Sequence, residues 1–195
     1  VTEAGGVPAR FGDLWAADRA RQNAAFDAFM DETGQPVPWA HEVWGEVVAQ
    51  LGHADNHNRA VAAQLLCNLA AGDPSERIVD DLPALIEVTR DPRFVTARHC
   101  LLSLWRIGLA GPVERAAVVA ALEGRYRDCA AEKNATLIRN DIVASLRRLC
   151  DATGDAGIES TARRLIDLET DPKYRRKYLG HWKPDRAGAA RAAQS

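Results

Sequence analysis

The chain has 195 residues, 47% of them apolar, with 27 acidic side chains against 25 basic ones for a net charge of −2. That length and apolar fraction suit one domain able to bury its own core, and the charge balance excludes a generically basic nucleic-acid binder and gives no sign of intrinsic disorder. The longest apolar run, residues 116–122, is far short of the ~20 residues of a membrane span and the N-terminus carries no signal-like stretch, so the expectation is a soluble, cytoplasmic protein without membrane contact.

Residues 1–10 are expected to be a flexible N-terminus. From there on, period-two alternation is missing, and apolar positions recur three and four apart between Pro, Gly and Asp punctuation, which predicts helices throughout. A first helix is predicted over 11–32, ended by Thr33-Gly34 and the Pro36-Val37-Pro38 turn. Together with Trp39 and Trp44 it is expected to close one end of the fold, so that residues 11–38 form an N-terminal helical cap. Further helices are predicted over 39–51, 56–71, 75–90, 92–109, 112–131, 134–153, 155–169 and 172–180. Asp73-Pro74, Asp91-Pro92, Gly111-Pro112 and Asp171-Pro172 place a proline in a first helical turn, where its missing N–H costs nothing, and three of the four add a capping aspartate. Residues 184–195 lack large apolar groups and are expected to form a disordered tail.

Cys67, Cys100, Cys129 and Cys150 are widely spaced and three of them sit in apolar helical stretches, which reads as free thiols in a reducing compartment. His53 and His57 are four apart with Asp55 between them, but no third ligand is near, so no metal site is assigned. His41, His99 and His181 have no partner at motif spacing. No catalytic residue and no cofactor-binding residue is assigned either.

An internal repeat organises the helices. Asp55, Asp91, Glu132 and Asp171 each sit at a helix-to-helix junction, about 36 to 41 residues apart, the period of a two-helix repeat unit. After the first three junctions comes a similar second helix, around Arg59–Leu66, Ala97–Leu104 and Arg139–Leu146, with small residues between the leucines. The stretch 82–108, with a leucine-proline in its first helix, an Asp-Pro junction, a valine and an alanine- and leucine-rich second helix, resembles a HEAT repeat. Residues 47–70 resemble a second copy, and ATLIRNDIVASLRRL the second half of a third. The pattern departs in the third unit, where EKN replaces the Asp-Pro junction, and in the fourth, where only a short final helix follows. The resemblance implies an all-α, right-handed α-solenoid of about four HEAT-like helix pairs over residues 39–183, behind the N-terminal cap.

Such a family mostly presents a helical face to a partner, so the expected function is a non-enzymatic scaffold or adaptor binding another protein through a concave face. Arg98, Leu102 and Trp105 share one face at i, i+4, i+7, with Arg106 on its flank, opposite a core stripe of Cys100 or Leu101, Leu104 and Ile107. Trp and Arg are enriched at binding hot spots, which makes this group the first candidate contact patch, with Trp105 as either contact or core residue. In the third unit Asp141, Ser145 and Arg148 align, flanked by Arg139 and Arg147; Arg139, Asp141 and Arg148 join the candidate patch. An aspartate with arginines near it invites comparison with HEAT-like DNA glycosylases, a likeness of fold type that implies an aspartate stabilising a cationic sugar. Nucleic acid is therefore an alternative partner, and a chaperone or lyase subunit acting on a cofactor-bearing protein is another. Residues 1–124 carry 10 bases and 17 acids, or −7, and residues 125–195 carry 15 bases and 10 acids, or +5. The basic half includes KYRRKY over 173–178, whose tyrosines either stack on bases or cap the last repeat.

Overall fold

The structure, a computed structural model, describes residues 6–183. Its regular elements are nine α-helices and five short 3-10 turns, with no strand among the described residues. The helices are α1 (Arg19–Glu32), α2 (Ala40–Gln50), α3 (Asn56–Leu69), α4 (Ile78–Val88), α5 (Phe94–Leu101), α6 (Pro112–Asp128), α7 (Ala135–Thr153), α8 (Ala156–Asp167) and α9 (Pro172–Leu179). No helix is long and apolar enough to cross a membrane among these residues. The tail expected over 184–195, and residues 1–5 of the expected flexible N-terminus, lie outside the described residues; Val7 packs against the core and Arg10 donates to Glu32.

Aspartates set four of the helix starts. The side chains of Asp18, Asp55, Asp155 and Asp171 accept from the backbone N–H of Arg21, His57, Gly157 and Lys173, each such cap contributing about 1 kcal/mol. Pro112 and Pro172 occupy the first turns of α6 and α9 as the sequence predicts. Pro74 and Pro92 do not, because α4 and α5 begin only at Ile78 and Phe94 and their aspartates close turns instead: Asp73 accepts from the Arg77 N–H and Asp91 from the Arg93 N–H.

Two predicted helices are each broken in two. Residues 11–32 form a 3-10 turn, Ala9–Trp15, an extended Ala16, and then α1. The break lets Phe11 and Leu14 turn inward, while Gln22 Nε2 donates to the Leu14 carbonyl at 2.7 Å and ties the turn to α1. The helix predicted over 92–109 stops at Leu101 and resumes as the 3-10 turn Leu104–Leu109. Ser103 Oγ donates back to the His99 carbonyl at 2.9 Å, a bond that competes with helix continuation. The tighter turn then lets Gly108 approach α7, where a Cβ would sit 2.7 Å from Leu149 Cδ1.

The helices form two layers. Each of α1, α3, α5, α7 and α9 packs on the next, α4 packs on α6 and α6 on α8, while the layers meet through contacts such as α2 with α3 and α7 with α8. Fully buried leucines, among them Leu65, Leu85, Leu104, Leu122, Leu146 and Leu165, fill the space between. The expected core stripe of Cys100, Leu101, Leu104 and Ile107 is buried throughout. At one end Phe11, Phe29 and Trp39 pack edge to face with ring centroids 5.4 to 6.0 Å apart. At the other, Tyr178 and Trp182 are buried, and the Tyr178 hydroxyl donates to the Thr136 carbonyl at 2.9 Å.

Polar bonds join helices distant in sequence, at separations from 30 residues, Arg139 to Glu169, to 46, Arg148 to Leu102. Asn68 to Thr33, Gln22 to Asn58, Arg125 to Thr89, Trp44 to Asp81, Arg90 to Asp128 and Tyr178 to Thr136 span 35 to 42 residues each.

Candidate functional site

The six residues singled out from the sequence do not form one surface. Arg98, on α5, donates from Nε and Nη2 to the Asp141 carboxylate on α7 at 2.7 and 3.1 Å. Asp141 is 1% exposed, so it has no area left to offer a partner, whereas the Arg98 side chain keeps 44% of its surface in water. The pair is therefore a clamp between two helix pairs, with the partly solvated guanidinium neutralising an almost fully buried carboxylate. Ser145, aligned with Asp141 by helical spacing, is likewise buried.

Arg139 is committed in the same way. Its Nη1 donates to Glu169 at 3.1 Å and its guanidinium lies 4.9 Å from the Tyr126 ring centroid. Burial pushes the Tyr126 phenol up to about 12, against the opposing pull of Arg139. Arg148 is exposed and donates to the Leu102 carbonyl at 3.2 Å, capping the end that the break after α5 leaves open. Trp105 stands on the 3-10 turn, off the α5 face that carries Arg98, and is half-buried against the core with the Arg106 guanidinium 5.0 Å over its ring. Helical i, i+7 spacing no longer relates it to Arg98 once the helix ends at Leu101.

The basic helix α9 exposes Lys173, Arg175, Arg176 and Lys177, with Arg175 paired to Asp167. Tyr178 is buried and Tyr174 packs on the core, so Tyr178 caps the last pair and is not free to stack on a base.

An open groove does cross the first three helices of the odd-numbered layer. It holds about 180 Å³ and is lined by Asn23 and Phe26 of α1, His57 and Gln64 of α3, and Val95 and His99 of α5, among others. Val95 is 66% exposed, the most exposed large apolar side chain among the described residues. His57 Nε2 donates to Asn23 Oδ1 at 3.1 Å, and burial, then the Arg19 cation, hold its imidazole below the ordinary histidine range. Apolar contact positions bordered by amides and imidazoles suit a polypeptide, whose backbone needs both donors and acceptors. Of these lining residues the sequence reading singled out only His57 and His99, and neither as a contact. The signal available was Val95, an apolar residue on the polar side of the α5 wheel.

No group of three metal-ligating side chains occurs among the described residues, and His53 Nδ1 instead accepts from the Asp55 N–H. The four cysteines are free; Cys67, Cys100 and Cys129 are buried, and burial raises the Cys67 thiol to about 12. Comparison of the chain with protein-family models gives no match, and comparison with curated proteins gives none.

Proposed function

We propose that the protein is a HEAT-like, right-handed α-solenoid that binds another protein through the face of its odd-numbered helices. Support for the solenoid comes from the bonds recurring at 35 to 42 residues, which is what stacking of one two-helix unit on the next requires. The observation that carries the binding role is the groove across α1, α3 and α5, with two-thirds-exposed Val95 standing among Asn23, Phe26, His57, Gln64 and His99. Three consecutive helices contribute to it, so an occupant would meet several units at once, as a hot-spot region needs. Trp105 and its stacked cation Arg106, on the 3-10 turn after α5, lie outside the lining of this groove and are a second candidate contact in the proposal.

The test is a photo-crosslinking residue at position 95, with a control at Ala120 on the exposed side of α6, followed by reconstitution with the purified crosslinked protein. Crosslinking at 95 and not at 120, with binding weakened at least tenfold by Val95→Asp at unchanged melting temperature, is the expected result. Equal crosslinking at both positions, or a Val95→Asp variant that binds normally, would refute it.

A further inference from the structure

A second, larger groove lies where the loops before α2, α4 and α6 come together. It encloses about 850 Å³, and its walls include Pro36, Pro38, Pro74 and Pro112. Three carboxylates line it, from Asp73, Glu76 and Glu114, and no lysine or arginine does so among the described residues. Asp73 is already neutralised by Arg77, whose guanidinium donates to it at 2.7 Å. Glu114 is not neutralised. The residue is 5% exposed, yet among the described residues it accepts no hydrogen bond and meets no cation.

Neither carboxylate oxygen is fully enclosed, so the group faces the groove as an unpaired anion above a buried stem. Its place in the first turn of α6 lets the helix dipole favour that charge. The bond that would normally complete such a position, from Glu114 back to the N–H of the cap residue Gly111, is not made, because no side chain caps this helix and Gly111 is extended with φ −179°. Instead Oε2 packs so close that a Cβ on Gly111 would lie 2.5 Å from it. Glu76, which also lines the groove, sits at φ +53°, an uncommon left-handed conformation for a glutamate. These two glutamates, His41 and the neutralised Asp73 apart, the lining residues are prolines, alanines, valines and glycines.

We infer that this groove is a docking site for an extended peptide segment of a partner protein, with one arginine or lysine side chain of that segment inserting against Glu114. Charge selects the occupant: a trough lined by the unpaired Glu114 and Glu76 carboxylates, with His41 but no lysine or arginine among the described residues, attracts a cation and repels an acidic or phosphorylated segment. The apolar walls match the methylene stem of a long basic side chain. The length of the trough, spanning three loops, exceeds what a small amine would fill. The groove has no lining residue in common with the one beneath Val95, so the inference stands apart from the proposed odd-helix face.

The test uses the full chain and a fluorescein-labelled nonapeptide of alanine and proline with one central arginine, read by fluorescence polarisation. The same peptide with citrulline, the neutral isostere of arginine, is the paired probe. The arginine peptide is expected to bind about tenfold or more tighter than the citrulline peptide, a preference that Glu114→Gln removes and added salt weakens. Glu114→Gln should melt close to the parent, since no ion pair or hydrogen bond is lost with the charge. Should that variant fail to fold, Gly111→Ala, which pushes the carboxylate out of place, is the second variant and should likewise lower the preference. Absence of any binding at about 1 mM peptide, equal binding of the two peptides, or a full preference retained in the folded variants would overturn the inference. Displacement of the arginine peptide by propylguanidine at the same concentration as by unlabelled peptide would overturn the assignment to a polypeptide.

Discussion

Replacing Arg98 by alanine should be more damaging than removing the charge of its partner, and the reason lies in where the two groups sit. The Asp141 carboxylate is 1% exposed and the Arg98 side chain 44% exposed. Arg98→Ala strands a buried anion, for which full burial of both partners would give about 3–5 kcal/mol; with nearly half of the arginine already in water, about 2–4 kcal/mol is the appropriate range. Asp141→Asn leaves a guanidinium that turns into solvent and an amide that still accepts one bond, at a cost of about 1–2 kcal/mol. In a chain of this size roughly 2–4 °C of melting temperature corresponds to each kcal/mol, so Arg98→Ala should melt roughly 4–16 °C lower and Asp141→Asn roughly 2–8 °C lower. Urea unfolding of Arg98→Ala, Asp141→Ala and the double variant closes the cycle, with an expected coupling of about 1–3 kcal/mol. An Arg98→Ala loss no larger than that of Asp141→Asn, or a coupling below about 0.5 kcal/mol, would refute the clamp. Loss of partner binding in an Arg98 charge-reversal variant would then report the collapse of α5 against α7 as much as any contact.

Trp105→Ala divides its two roles: on the half-buried side of the ring it removes packing, so about 1–3 kcal/mol of stability should be lost, less than the 3–5 kcal/mol of a fully buried aromatic, and a loss in that upper range by urea unfolding would place Trp105 in the core. His57 and His181 are both held below the ordinary value, in each case chiefly by burial, so the unfolded chain binds their protons more readily and stability falls as pH drops below about 6.5. His57→Gln with His181→Gln should flatten that decline between about pH 6.5 and pH 5 in denaturant titrations, and an unchanged slope would remove both residues from the acid response. Among the thiols, half-buried Cys150 should react first with iodoacetamide while Cys67, Cys100 and Cys129 label only in denaturant; equal labelling of all four in the native protein, by peptide mass spectrometry, would contradict the core.

Much of the helical content was legible because helix periodicity, aspartate caps and proline positions are local quantities, each written within a few residues. Asp55, Asp155 and Asp171 announced their helices, and the stripe from Cys100 to Ile107 announced its buried side. The acids Asp55, Asp91, Glu132 and Asp171 recur 36 to 41 residues apart, and bonded partners such as Asn68 with Thr33 and Tyr178 with Thr136 lie 35 and 42 residues apart in sequence. Tertiary structure alone decided what the helices do to one another. A single helix over 92–109 satisfies every local rule, yet the approach of Gly108 to Leu149 and the Ser103 bond to His99 end it at Leu101, and Trp105 leaves the Arg98 face as a result. Arg98 and Asp141 read as solvated surface charges until α5 is laid on α7, 43 residues away, and their partnership appears. Glu114 reads as an ordinary first-turn acid until three loops close around it. Spacing along a chain determines which side of a helix a residue occupies, but burial and pairing depend on what the next layer places opposite that side, and no local pattern encodes that.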